Sequence, residues 1–131
     1  MTETLTLMQG ADKLELPASP ENWQLVRGKG YSPVQMLVSA AAACGGYVYE
    51  SVLENSHVPF TLFKIEVTYT RDETRRAEPI DSIQIQFFAD VPEEFQDKAV
   101  RCLKLISPNC PVIQSLDPAI KVEEFVTFIT L

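Results

Sequence analysis

Three cysteines, Cys44, Cys102 and Cys110, are the residues of this chain with the most distinctive chemistry. A deprotonated cysteine is a strong nucleophile and can form a disulfide, so two of them would support a redox cycle. The sequence contains no CxxC pair, and His57 is its single histidine, so we expect no metal site. It also carries no nucleotide or flavin signature, and we expect no cofactor. The cysteines are therefore either buried and inert or reactive.

Composition restricts the partners and the compartment. The 131 residues suit one domain covering 1–131, and a net charge of −7 disfavours binding to nucleic acid or to anionic membrane surfaces. The first residues lack the basic start and apolar run of a secretory signal. The uncharged stretch from Tyr31 to Tyr49 approaches the length of a membrane span. Because it contains a proline, glycines and many alanines, it predicts a buried helix of a soluble, cytoplasmic protein.

The stretch that contains Cys44 predicts a long helix. Ser32 can cap its free amides, Pro33 suits its first position, and the apolar pattern continues to about Asn55. Spacings of three and four predict one apolar stripe made of Val34, Leu37, Ala41, Cys44 and Val48. The opposite face is also apolar until Glu50, so we expect a central helix that is covered on most sides.

Shorter elements position the other two cysteines. A second helix is predicted after the acidic residues 90–94, which suit the positive end of a helix dipole, and it should end at 107–109. Cys102 lies on its apolar stripe and is interpreted as a core residue. Cys110 should cap a third helix that starts at Pro111, where the helix dipole favours a thiolate.

The remaining segments predict strands before and after the long helix in the sequence. Alternating or β-prone residues indicate strands over 2–8, 13–16, 23–27, 63–71, 83–87 and 121–131. Strands, a long helix, further strands, helices and a last strand indicate an α+β domain.

Two segments resemble the OsmC/Ohr family. The run SPVQMLVSAAAAC, residues 32–44, resembles the helix in which a proline start leads to a cysteine at mid-helix. The run NCPV, residues 109–112, is similar to the Cys-Pro-Val element near the family's C-terminus. The order of elements agrees over about 1–131. The resemblance implies an OsmC-like fold, with antiparallel sheets around a long central helix, in an intertwined homodimer with active sites near the dimer interface.

The resemblance also implies a thiol-dependent peroxidase that reduces organic hydroperoxides. In that scheme Cys44 is the peroxidatic residue, Cys110 resolves its sulfenic acid as a disulfide, and a small dithiol such as a lipoyl group regenerates the enzyme. Hydroperoxide-reducing members place an arginine near the reactive sulfur on a segment before the long helix. Arg27 is the candidate for this thiolate-stabilising residue, and Lys13 and Lys29 are its rivals.

One position departs from the family pattern. Those members carry a glutamate shortly after the proline, where it holds the arginine, whereas this chain has Val34 followed by Gln35. Gln35 is a weaker acceptor that would substitute for it only in part. The departure indicates a divergent subgroup. It also supports one alternative function, a non-catalytic protein that binds a small lipophilic ligand. A thiol redox sensor is a further alternative.

Overall fold

Short strands form the first part of the computed structural model, which describes residues 2–131. Strands β1 (Met8–Gln9), β2 (Leu14–Leu16) and β3 (Trp23–Gln24) make an antiparallel sheet in that order. They belong to a compact unit that ends at Leu37, and a second compact unit comprises Val38–Leu131.

The strands of the first unit are shorter than the sequence predicts. Residues 2–7 lie outside regular structure, because β2 has only three residues and ends before Pro17, which cannot donate a ladder hydrogen bond. The predicted strand over 23–27 stops at Gln24, and Gly28 turns the chain with a φ of 94°.

The long helix α1 (Pro33–Asn55) has the predicted bounds. The Ser32 amide donates to Gln35 Oε1 at 2.9 Å, and the Gln35 amide donates to Ser32 Oγ at 3.1 Å. This reciprocal arrangement is a capping box, so the predicted start at Ser32 and Pro33 is confirmed.

The buried face of α1 differs from the predicted stripe. Within the second unit its buried residues are Val38, Ala41, Ala42, Gly45, Gly46, Tyr49 and Leu53. Cys44 and Val48 are only half-buried, and Tyr47 is 73% exposed, so the helix is covered on one side and not on most sides. The glycines explain the difference, because they let the helix pack closely against the second sheet, which is described next. A Cβ at Gly46 would lie 2.6 Å from Cδ1 of Ile65 on that sheet.

The second sheet consists of β4 (Thr61–Arg71), β5 (Ile80–Asp90) and β6 (Lys121–Phe128), in that order. The predicted buried face of β5 is confirmed, because Ile83, Ile85 and Phe87 are completely buried. β4 and β5 are antiparallel, but β5 and β6 are parallel, so the sheet is mixed and not purely antiparallel. The parallel pair needs a crossover connection, which the intervening helices supply.

Those helices are α2 (Glu93–Cys102), a 3₁₀ turn (Leu103–Leu105), α3 (Ile106–Asn109) and α4 (Pro111–Gln114). The predicted second helix is divided, because α2 ends at Cys102, and the helical run ends at 107–109, as predicted, only after the 3₁₀ turn and α3. Pro108 is tolerated there because amides in a first helical turn have no partner within the helix. The closing strand ends at Phe128, and the α+β class is confirmed.

By length and composition, α1 would be able to cross a membrane. This is weak evidence, because the core helix of a globular fold meets the same criterion. Tyr49 and Leu53 are buried in the core of the second unit, as predicted for a helix of a soluble fold.

Candidate functional site

Cys44 lies at the border of the buried face of α1. Its side chain is half-buried and packs against the core of the second unit. A Cβ at the next residue, Gly45, would lie 3.5 Å from Ile106 and 3.8 Å from Ile113. Helices α3 and α4 therefore pack over α1 at the level of Cys44.

Cys110 is the residue between α3 and α4 and is completely buried. Its backbone is extended, Pro111 begins α4, and Cys110 Sγ accepts the Ile113 amide at 3.5 Å. The prediction that Cys110 caps this helix is confirmed.

The structure brings Cys110 and Cys44 together. Burial raises the pKa of the Cys110 thiol, the Ile113 amide lowers it in part, and the adjacent Cys44 thiol raises it further. Burial thus outweighs the predicted stabilisation of a thiolate at the start of α4. Cys110 is therefore a thiol with a raised pKa, and it lies beside the more accessible Cys44.

An uncharged groove of about 550 Å³ begins at Cys44. It is lined by Cys44, Tyr47, Val48, Ser51, Val52, Asn55, Ser56, Leu105 and Asn109. One wall is thus the outer part of α1, and the other is the segment that leads to Cys110. Apolar side chains with a few neutral polar groups suit an uncharged organic molecule whose reactive end lies at Cys44.

Cys102 lies on α2, is 6% exposed and donates its thiol to Ser56 Oγ at 3.6 Å. Asn55, just before Ser56, is roughly 16 Å along the helix axis from Cys44 at the usual rise per residue. A disulfide requires Cα atoms within about 7 Å, so Cys102 is too distant to pair with Cys44. This location agrees with the prediction of a core residue.

The basic candidates belong to the first compact unit. Arg27 is exposed and its backbone forms an isolated bridge with Gly30, while Lys29 pairs with Asp12. Lys13 is exposed as well. The placement of any of these cations beside the Cys44 thiol stays a prediction.

Gln35, the possible substitute for the missing glutamate, has a role of its own. Its side-chain oxygen accepts the Ser32 amide in the capping box of α1. The neighbouring Val34 offers no hydrogen-bond acceptor on its side chain. Gln35 therefore serves to begin the helix.

His57 follows α1 on the surface, as predicted for a helix-terminal residue. Its φ is 57°, and the amides of His57 and Val58 donate to Glu54 O and Leu53 O. This local geometry closes the helix, and it agrees with a structural role.

Glu124 and Ser107 were missed by the sequence analysis. Glu124 on β6 is half-buried, and Ser107 Oγ donates to its Oε1 at 2.5 Å. Burial raises the pKa of Glu124, and the Ser107 hydroxyl lowers it in part. The signal in the sequence is an acidic residue at an inward position of an alternating strand, between Val122 and Val126.

The comparison with known structures gives a consistent fold. An OsmC-like protein from Mycoplasma pneumoniae superposes with a TM-score of 0.74 at 19% identity, covering 99% of this chain and 100% of its own. The organic hydroperoxide resistance protein OhrB of Bacillus subtilis gives 0.65 at 16% identity, covering 97% and 98%. An organic hydroperoxide resistance protein OsmC from Legionella pneumophila gives 0.62 at 16% identity, covering 97% of each chain.

The sequence itself identifies the family. Among curated proteins, no relative was found. The family model described as OsmC-like protein matches residues 26–125, which include both Cys44 and Cys110. With this match over most of its length and with the fold described above, the chain belongs to the OsmC-like protein family.

Proposed function

We propose that this protein is a thiol-dependent peroxidase that reduces organic hydroperoxides, with Cys44 as the peroxidatic and Cys110 as the resolving residue. The observation that carries the proposal is the pairing of two thiols of different exposure at one end of an uncharged groove. The more accessible thiol would meet the peroxide, and the buried thiol would meet the oxidised sulfur.

The proposed catalytic cycle has three steps. The Cys44 thiolate attacks the terminal oxygen of the hydroperoxide, the O–O bond breaks, and the alkoxide takes a proton to leave as an alcohol. Cys110 then loses its proton and attacks the sulfur of the Cys44 sulfenic acid, so that water leaves and a disulfide forms. A small dithiol, such as a lipoyl group, exchanges with this disulfide and is itself oxidised to a cyclic disulfide.

The groove supports an alkyl or aryl hydroperoxide as substrate. Val48, Val52 and Leu105 provide apolar contacts, and the lining side chains carry no formal charge. A hydrocarbon tail is stabilised in such surroundings, whereas hydrogen peroxide makes no use of them. Two structural neighbours named as organic hydroperoxide resistance proteins support the same class.

The proposal includes a cation, a cytoplasmic location and a homodimer. Arg27 is proposed to stabilise the Cys44 thiolate, because a guanidinium stays charged when partly buried.

The proposed homodimer is supported by large apolar side chains that are exposed in the single chain, such as Leu5, Trp23, Tyr31 and Tyr47. Burial of such side chains against a second copy of the chain would be favourable.

A single-turnover experiment tests the function. Reduced protein is mixed with an equimolar amount of cumene hydroperoxide, peroxide loss is followed, and disulfides are mapped by mass spectrometry. The expected result is rapid loss and a Cys44–Cys110 disulfide. Cys44→Ser should reduce the rate to that of the uncatalysed reaction, and Cys110→Ser should consume one equivalent and stop at a sulfenic acid.

Cys102→Ser is the matched control and should turn over like the original protein. If the original protein leaves the peroxide and all thiols intact, the peroxidase proposal is wrong. The groove beside Cys44, together with the loss of the glutamate at Val34, then favours the binding of a small lipophilic ligand, which native mass spectrometry of the purified protein would detect. Reversible oxidation without turnover would instead indicate a redox sensor.

A further inference from the structure

A carboxyl group lies on the core side of β6. Along this strand Val122, Val126 and Phe128 pack against the core, and Glu124 occupies the inward position between the two valines. Transfer of a carboxylate from water to such surroundings is unfavourable unless it gains a hydrogen-bond partner. The Ser107 hydroxyl is that partner.

Ser107 forms hydrogen bonds with Cys110 itself and with Gln114, which follows it in α4. Its carbonyl oxygen accepts the Cys110 amide at 3.4 Å and the Gln114 side-chain nitrogen at 2.8 Å. Through its hydroxyl the same residue is bonded to Glu124 on the sheet. Ser107 therefore connects the turn that carries Cys110 to strand β6.

We propose that Glu124 is a positioning residue, which through Ser107 holds the Cys110 thiol in place for its attack on Cys44. This inference rests on the proposed function and concerns only its second step. We call the hydrogen bonds that join Glu124, Ser107 and the Cys110 amide the tether. Hydrogen peroxide or an alkyl hydroperoxide reacts with Cys44 before Cys110 takes part, so the first step does not depend on the tether.

The second step is sensitive to position because it joins two groups of the same chain. Cys110 gives up its proton, its sulfur attacks the sulfur of the Cys44 sulfenic acid, one S–S bond forms, one S–O bond breaks and water leaves. The rate of such a step depends on the effective concentration of the attacking group, which falls when the group is held less well.

Three variants test the tether. Glu124→Leu removes the acceptor and keeps an inward apolar side chain, Ser107→Ala removes the donor, and Glu124→Gln keeps an acceptor oxygen. Glu123→Gln is the matched control, because it removes one negative charge from the adjacent residue, whose carboxylate lies 3.7 Å from Lys121 Nζ. Thermal unfolding of each variant verifies that it is folded.

The kinetic readout separates the two chemical steps. Rapid-quench samples are alkylated to measure disulfide closure, and a dimedone adduct on Cys44 measures the sulfenic acid. Glu124→Leu and Ser107→Ala are expected to slow closure about tenfold and to prolong the sulfenic acid, with unchanged peroxide loss. Glu124→Gln should remain within about twofold of the original protein, and so should the control. Closure rates that do not change in Glu124→Leu and Ser107→Ala would overturn the proposal.

A second measurement needs no peroxide. The Cys44–Cys110 disulfide is formed with diamide and titrated with dithiothreitol, and the same two variants are expected to shift the equilibrium about tenfold toward the dithiol. If this shift occurs in a protein that does not consume peroxide, the tether is supported and the peroxidase function fails. If peroxide is consumed and neither the closure rate nor this equilibrium changes, the tether fails and the function is retained.

Discussion

At the scale of single residues, Cys44 and Cys110 are neighbouring thiols with different surroundings. Cys110 is 0% exposed and its pKa is raised chiefly by burial, whereas Cys44 borders an open groove. The thiolate is the reactive form of cysteine, so a buried thiol with a raised pKa reacts slowly with external reagents. This difference suits the proposed roles, in which Cys44 reacts with the substrate and Cys110 reacts afterwards with the oxidised Cys44.

The difference predicts the order of alkylation of the reduced, folded protein. Iodoacetamide at neutral pH should modify Cys44 at least about tenfold faster than Cys110 or Cys102, as measured by mass spectrometry of peptides. Because the pKa of Cys110 is raised above its ordinary value, the rate at Cys110 should increase as the pH rises into the alkaline range. Modification of Cys110 before Cys44 would contradict this account, and urea-unfolded protein is the control in which the thiols should become similar.

At the scale of elements, the glycine pair in α1 determines how the helix meets the sheet. A Cβ at Gly45 would make ordinary contacts of 3.5 to 3.8 Å, whereas one at Gly46 would lie 2.6 Å from Ile65 Cδ1. Next to this contact the Tyr49 ring packs on Phe87 with a centroid distance of 4.9 Å, and its hydroxyl donates to Ala99 O at 2.8 Å. The face of α1 that carries Gly46 and Tyr49 therefore turns inward, and Cys44 is left at its border.

Alanine substitutions at the two glycines should have opposite effects on stability. Gly45→Ala is expected to raise the free energy of unfolding by about 1 kcal/mol, because alanine is the better helix former and its Cβ fits. Gly46→Ala should lower it by about 1 kcal/mol or more, since the side chain of Ile65 must shift. Urea denaturation measures both values, and equal effects at the two positions would refute the proposed packing.

The elements also differ in how well they could be predicted. The start of α1 and the cap at Cys110 were predicted correctly, because capping depends on residues within one turn. The buried face of α1 and the break in the second helix after Cys102 were not, because each depends on which distant segment packs against it. Glu124 was missed for the same reason, since its partner Ser107 is on another element.

At the scale of the whole molecule, the chain combines exposed apolar side chains with a strongly negative net charge. The chain carries a charge of −7, and Trp23 and Tyr47 are 58% and 73% exposed. Net charge opposes association, so a dimer of this protein would need the burial of such apolar side chains to stabilise it. The proposed homodimer would cover such surface.

Sedimentation velocity tests this prediction. The protein should sediment with twice the chain mass of 14.7 kDa. Trp23→Glu and Tyr47→Glu should each weaken association at least about tenfold, because a charge in an interface must be desolvated. Val100→Glu is the control at an exposed apolar position of α2. A monomer in the original protein at high concentration would contradict the dimer.

The local features of the fold and, through two cysteine-containing segments, the family resemblance could be recognised from the order of residues alone. Helix caps, the alternation in β5 and the run from Ser32 to Cys44 depend on neighbours along the chain, so they can be recognised without a structure. The folded structure was needed to show which face of α1 is buried, that β6 runs parallel to β5, and that Ser107 links Cys110 to Glu124. These features depend on contacts between residues far apart in sequence, and the free energy of such contacts is set by the folded packing as a whole.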